Sequence, residues 1–390
     1  MSPTSPVGAP DGSVTVIVFT VVLFLTACTG EPADTGEGAH ETLALAAALA
    51  ERGAQTWPVE DLPFDWMQTV WGYGLLRLHL ASGDDAWLGL DAAWMEDHVD
   101  GFTGDDPRTF HSSDSMSPAL LASSVMVEEP SLELEPITEA AHAYLDAAPR
   151  TDSGAIEHWA EGSAFGEIGQ VWVDSQFMFG VFLLSEYQRT GDRAHLEAWV
   201  EQYLLFSELC RGEDGLYRHA WDDVAGENIP LDAVYWNRGN SWVLVSAAEM
   251  LRIVGPDDPA WDTIQPLFLE HAEATRSLQA DDGLWYTVLN RPTGAGNYTE
   301  TSGSALIAYA FEVGLDSGAL EGEAWRVSVT AAVDGVGDRV TEDLVVEGTS
   351  FGTNPGDYDY YVSVAQLDDI ILGVGSVVML LSEVDGSARC

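Results

Sequence analysis

The sequence predicts an all-α protein built as a toroid of six helical hairpins, and three observations carry that prediction. Apolar residues recur at intervals of three and four in Trp66-Met67-Val70-Trp71-Gly74-Leu75-Leu78, in Phe177-Met178-Val181-Phe182-Leu184 and in Trp242-Val243-Val245-Leu251, the spacing of one helix face. Glycine and aspartate then punctuate the chain at Gly83-Asp84, Gly191-Asp192, Gly255-Pro256-Asp257-Asp258 and Gly314-Leu315-Asp316-Ser317. Glycine ends one helix in the left-handed region and aspartate caps the next. Finally, no convincing run of alternating strand residues lies between these turns. A period of about 54–64 residues leaves room for six hairpins. An open solenoid of the same hairpins is the competing arrangement.

The N-terminal segment reads as an export signal. Residues 14–26 form an apolar run, too short for a spanning helix of about 20 residues and suited to a signal-peptide core. It ends in Leu25-Thr26-Ala27-Cys28, which resembles the bacterial lipobox, whose cysteine becomes the lipidated N-terminus after cleavage. One departure is that no Lys or Arg precedes Arg52, whereas signal peptides start with positive charge. The expected organisation is a signal peptide over 1–27, a polar tether over 28–42 and a helical domain over 43–390. The protein is accordingly expected in the cell envelope, touching the membrane through a lipid on Cys28 alone. Cys210 lies in an apolar helical stretch and Cys390 is the last residue, so a buried, inert Cys210 and no structural disulfide are expected.

Within the domain the second helix of a hairpin is predicted over 86–99 and again over 194–209. Charge narrows what the helices serve. Asp and Glu number 64 against 15 basic residues, all of them Arg, for a net charge of −49 and a pI near 4.1. Nucleic-acid binding is excluded, since a polyanion is held only where cations cluster. Aromatic residues such as Trp159, Trp172, Tyr217, Trp221, Trp236 and Tyr298 gather in the inter-hairpin loops beside carboxylates. Rings that stack on pyranose faces beside polar groups that take hydroxyls make a sugar pocket. No His-x-x-x-His or Cys-x-x-Cys spacing occurs, so neither a metal nor another cofactor is expected.

Six blocks then resemble, in order, the unsaturated uronyl hydrolases of glycoside hydrolase families 105 and 88. They are Gln170-Val171-Trp172-Val173-Asp174-Ser175-Gln176-Phe177-Met178, Gly215-Leu216-Tyr217-Arg218-His219-Ala220-Trp221-Asp222, Trp236-Asn237-Arg238-Gly239-Asn240-Ser241-Trp242, Gly283-Leu284-Trp285-Tyr286, Tyr298-Thr299-Glu300-Thr301-Ser302-Gly303 and Tyr358-Asp359-Tyr360-Tyr361. Upstream, His111-Ser112-Ser113-Asp114 resembles the family's second aspartate segment. The resemblance implies an (α/α)6 barrel. It also implies an enzyme that hydrates the enol ether of a Δ4,5-unsaturated uronic acid at the end of an anionic oligosaccharide left by a lyase, such as a rhamnogalacturonan fragment. Asp174 would be the acid/base and Asp114 its partner carboxylate. His219, Trp236, Arg238, Trp242, Trp172 and Tyr360 would hold the substrate. A non-catalytic glycan-binding lipoprotein, or another carbohydrate enzyme on the same barrel, is the alternative reading.

Two physical expectations accompany those assignments. Desolvation by Trp172 and Phe177 should lift the Asp174 pKa toward neutrality, as suits a group that gives and then takes a proton. Arg238, between two tryptophans, should offer its planar fork at the mouth to the substrate carboxylate or to vicinal hydroxyls. His158 reads as structural. Against the family pattern, Ser175-Gln176 and Asp368-Asp369-Ile370-Ile371 depart from the usual residues.

Overall fold

The computed structural model describes residues 36–160 and 169–386; the signal segment, the lipobox cysteine Cys28 and Cys390 lie outside the described residues. Among those described, twelve helices alternate around a ring: α1 (Gly36–Thr56), α2 (Trp66–Ser82), α3 (Asp85–Val99), α4 (Pro118–Glu128), α5 (Glu135–Ala147), α6 (Gly180–Thr190), α7 (Arg193–Cys210), α8 (Asn237–Val254), α9 (Pro259–Arg276), α10 (Thr301–Asp316), α11 (Glu323–Gly337) and α12 (Ile371–Gly386). The even-numbered helices pack on one another in sequence, and α12 closes the circle against α2. Each odd-numbered helix covers an even one from outside, with α1 lying on α12. The sixth hairpin is therefore made by the two ends of the barrel domain. This is the (α/α)6 barrel that the hairpin turns and the family resemblance predicted.

Local chemistry sets most of the turns. Gly83 and Gly191 end α2 and α6, each with φ near 71°, a conformation costly for any residue with a Cβ. Asp84, Asp192 and Asp258 cap α3, α7 and α9 by accepting from the backbone N–H of Ala86, Ala194 and Ala260. The turn expected at Gly314 falls elsewhere. Helix α10 runs through Gly314 to Asp316, and Gly318, with φ 79°, makes the turn. Gly314 is small for another reason, since a Cβ there would come within 3.0 Å of Leu320 and Phe268. Helix α1 begins at Gly36, inside the segment expected to be a tether, because 36–50 is rich in Ala, Glu and Leu, all good helix formers.

The inner helices are buried on more than one stripe. Every residue of α8 from Asn237 to Leu251 is buried, as is every residue of α10 from Thr301 to Gly314. A ring of six helices leaves its inner members no solvent face, so their hydrophobic pattern is broad. Where α2 meets α12, Gly74 would bring a Cβ within 2.7 Å of the Gly375 carbonyl oxygen, so only glycine permits that approach. Cys210 is buried and free, with its thiol pushed up to about 12 by burial. Toward the C-terminal ends of the inner helices, Arg77 and Arg252 both bond Glu383, and Arg252 and Tyr309 both bond Glu249.

At the other end, short strands organise the loops that enter the inner helices. Strands β1 (Gln170–Trp172), β2 (Ala220–Asp222) and β3 (Glu227–Ile229) form an antiparallel sheet in that order, with Trp172 opposite Ala220. Two further ribbons pair β4 (Trp285–Tyr286) with β5 (Thr299–Glu300), and β6 (Thr349–Ser350) with β7 (Gln366–Leu367). Strands of two or three residues are too short for an alternation to show in sequence, and none was predicted.

Candidate active site

The site lies where the inner helices begin. Trp66, Asp114, Trp172, Asp174, Trp236, Arg238 and the loop Gly352-Thr353-Asn354 line one cleft. Apart from that loop, each is at or just before the N-terminus of an inner helix, so partial positive charge from several helix ends faces the cleft.

The β1–β2 pairing builds one half. Val173 N–H donates to the His219 carbonyl, which sets Asp174 beside His219 with Oδ2 3.0 Å from Nε2. His219 is fixed on its other side by Tyr361, whose hydroxyl is 3.1 Å from Nδ1. The Tyr361 oxygen also accepts from Gly356 N–H, so one hydroxyl ties His219 to the loop at Gly356. Trp236 stacks on the His219 ring at 4.2 Å. Asp174 occupies the cap position of the short helix Ser175–Met178, yet its side chain makes no capping hydrogen bond, so its oxygens are available for chemistry.

The other half mirrors the first. Ser112, with Ser115, forms the capping box of the helix Ser113–Met116, which frees Asp114 from that duty. Asp114 Oδ2 lies 3.6 Å from His158 Nε2. His158 is held by Ser113 Oγ at 2.7 Å and stacks on Trp172 at 4.2 Å. The edge of Trp172 in turn meets His219. Two carboxylate–imidazole pairs thus flank a single indole.

Asp174 is almost buried, and burial would raise its pKa. The charges of His219 and His158 and the contact with His219 outweigh burial and hold the carboxyl below its ordinary value. The expected elevation toward neutrality is therefore corrected. The aromatic desolvation is present, but the imidazoles beside it reverse its effect.

Two further placements differ from expectation. Trp242 is fully buried, packed on Phe177 in the core, because six residues along α8 carry it past the mouth. It supports the Asp174 helix and does not line the cleft. Arg238 lines the cleft but is not a free fork. Its Nη atoms donate to Ser350 O and Oγ, Phe351 O and Thr353 Oγ1, Glu300 lies 3.8 Å away, and the guanidinium rests on Trp236. Arg238 ties the loop after β6 into the cleft wall and leaves a fixed positive charge there. Tyr360 is about one-third exposed at the rim, with its hydroxyl accepting from Asn354 N–H.

His158 and Tyr361, with Trp66 and the loop Gly352-Thr353-Asn354, are residues that sequence reasoning did not assign to the site. The signal for Tyr361 was present in the Tyr358-Asp359-Tyr360-Tyr361 block. The helix Tyr358–Ser363 turns Tyr361 inward, where it is buried, and Tyr360 outward.

Two carboxylate–imidazole pairs thus stand under aromatic rings at the mouth of an (α/α)6 barrel, an arrangement suited to proton transfer on a carbohydrate. The family model of Glycosyl Hydrolase Family 88 matches residues 48–387, and the chain belongs to that family of glycoside hydrolases. It is 26% identical to the unsaturated rhamnogalacturonyl hydrolase YesR of Bacillus subtilis over 299 residues, covering 76% of this chain and 83% of that one. It is 25% identical to an unsaturated 3S-rhamnoglycuronyl hydrolase of Formosa agariphila, covering 72% and 75%. The fold matches that of a possible family 105 member from Salmonella enterica with TM-score 0.78, at 21% identity and covering 95% and 98% of the two chains.

Proposed function

We propose that the protein releases a Δ4,5-unsaturated uronic acid from the non-reducing end of a lyase-generated oligosaccharide, with rhamnogalacturonan fragments as the substrate class. The observation that carries this reading is Asp174 held 3.0 Å from His219 across Trp172 from the Asp114–His158 pair. The named activity of the Bacillus relative supports the choice of substrate.

The chemistry is hydration of an alkene, unlike displacement at the anomeric carbon. The Asp174–His219 pair supplies a proton to C4 of the enol ether through Asp174. Positive charge then develops over C5 and the ring oxygen, and the Asp114 carboxylate stabilises it. Asp174, now a carboxylate, takes a proton from the water that adds to C5. The C5 hemiketal opens the ring, and the hemiacetal left at C1 expels the aglycone. The substrate carboxylate meets the fixed charge of Arg238 and the helix N-termini. Its arrival also raises the pKa of Asp174, since like charges disfavour ionisation, and so moves the shared proton toward the carboxyl when it is needed.

The test mixes the protein with lyase-digested rhamnogalacturonan. Ultraviolet absorbance of the conjugated enol-carboxylate should disappear, and in heavy water deuterium should enter at C4. Cleavage of the saturated parent instead would place the acid on the glycosidic oxygen and overturn the mechanism. Binding without loss of absorbance would favour a glycan-binding role.

The same proposal places the enzyme on the cell envelope through a lipid on Cys28, on the support of Leu25-Thr26-Ala27-Cys28 alone. Cys28→Ser should release it from salt-washed membranes; continued partition with them would remove the lipid from the account.

A further inference from the structure

His142, Glu186 and His195 stand on three helices, α5, α6 and α7, and folding brings their ligand atoms within 4.8 Å of one another. The dispersed histidines that argued against a metal in the sequence are thus gathered by the fold. His142 Nε2 lies 2.8 Å from Glu186 Oε2, and the two imidazoles face each other at 5.0 Å. Among the described residues no side-chain hydrogen bond engages the His195 ring. Glu186 is on the C-terminal half of α6, the end away from Asp174, so none of the three serves the cleft.

We propose that His142, His195 and Glu186 form a site for a divalent cation of the zinc class that clamps α5 to the α6–α7 hairpin. Two imidazoles and one carboxylate suit a borderline metal and select against Mg²⁺ and Ca²⁺, which prefer all-oxygen sets. A tetrahedral ion with bonds of about 2.1 Å needs donors about 3.4 Å apart. His142 is one-third exposed, so its ring can close that gap from the present spread.

The surroundings of Glu186 already hold its carboxylate in place. Ser123 Oγ donates to Glu186 Oε1 at 2.7 Å and fixes the carboxylate, as outer partners of metal ligands do. Arg189 donates to both Glu186 oxygens, at 2.7 and 2.9 Å. It is the cation now occupying the carboxylate, and from the barrel surface it can swing away when an ion enters.

The test is titration of metal-stripped, untagged full-length protein with Co²⁺, whose visible absorption is intense only when it is four-coordinate. One Co²⁺ per chain should bind, yield to Zn²⁺ and resist excess Mg²⁺. Zn²⁺ at a hundredfold above its Kd should raise Tm by about 4 °C. The double variant His142→Gln/His195→Gln should lose the band and the Tm rise while keeping its near-ultraviolet circular dichroism. Arg189→Gln should bind Co²⁺ at least threefold tighter, because a competing cation has gone. An equal band in the double variant would mean adventitious binding to the acidic surface. That result, absence of any band, or weaker binding by Arg189→Gln would each overturn the proposal.

Discussion

Replacing His219 by Gln isolates the interaction on which the proton chemistry rests. In the native protein an imidazole 3.0 Å from Asp174 offsets the burial of that carboxyl. Coulomb's law with an effective dielectric of about 20 sets a ceiling of about 5.5 kcal/mol on such a pair. Desolvation consumes part of it, so the pKa effect of one close opposite charge is about 1–3 units, or about 1.4–4 kcal/mol. With His219 gone, burial dominates and the Asp174 pKa moves from below its ordinary value of 3.8 to above it. The sign of the stability change follows. Native Asp174 contributes stability that is present above pH 3.8 and is lost as pH falls through its lowered value. In the variant the same group weakens the fold as pH rises from 3.8 through the raised value. Urea unfolding at a series of pH values should therefore show the deficit of the variant growing from acid toward neutrality. Its uronyl hydrolase rate should fall at pH 7 and recover in part toward pH 5, where Asp174 itself carries the proton. A deficit that is flat with pH, or a rate profile scaled down without moving, would refute the account.

Asp174→Asn should lose at least about 3 kcal/mol of barrier lowering, 10² or more in kcat, with Tm somewhat lowered at neutral pH because the stability the ionised carboxyl gains beside His219 is lost. Arg238→Met should cost about 3 kcal/mol in urea unfolding, since it leaves Glu300 buried without its cation and frees the carbonyls of Ser350 and Phe351. KM should rise in that variant through the loosened loop. His271, fully buried against Asn240 at 3.0 Å, has its pKa pushed down from 6.5 to about 3 by burial. The unfolded chain takes a proton below pH 6.5 that the native state refuses, so stability is lost as pH falls from 6.5 to about 3, by up to about 5 kcal/mol. His271→Gln should flatten that acid decline in Tm.

What could be read from the sequence was whatever local chemistry decides. Gly83-Asp84 and Gly191-Asp192 state a helix stop and a helix start within two residues, and the structure has both. Gly314 looked the same, yet it is glycine because α10 passes close to Leu320 and Phe268, a tertiary demand that leaves no local trace. The closure of the ring by α12 against α2 joins residues more than 300 apart, as the Arg77–Glu383 ion pair at 2.6 Å shows, and no periodicity reports that. In the cleft, the Trp-x-Asp segment announced Asp174, but residue type alone could not show that Ser350 and Phe351 engage the Arg238 fork, nor that Trp242 is turned into the core. His158 was indistinguishable from a structural histidine until Asp114 stood beside it.

The charge of the protein makes the arrangement of its few cations decisive. A chain at −49 without a lysine repels an anionic sugar at long range, although salt screens this beyond about 8 Å. Within that distance the site carries Arg238, two imidazoles and the N-termini of inner helices against Asp114, Asp174 and Glu300. Arg238 cannot titrate in the working range, so adjustment falls to Asp174, whose pKa the neighbouring charges set. An incoming uronate would add one negative charge, and the site can answer by drawing a proton onto Asp174. In the proposed hydration that proton is the one the alkene requires. On that proposal, binding of the substrate charge and charging of the acid are the same electrostatic event, and a carboxyl with a lowered pKa in the empty cleft serves as the acid in the filled one.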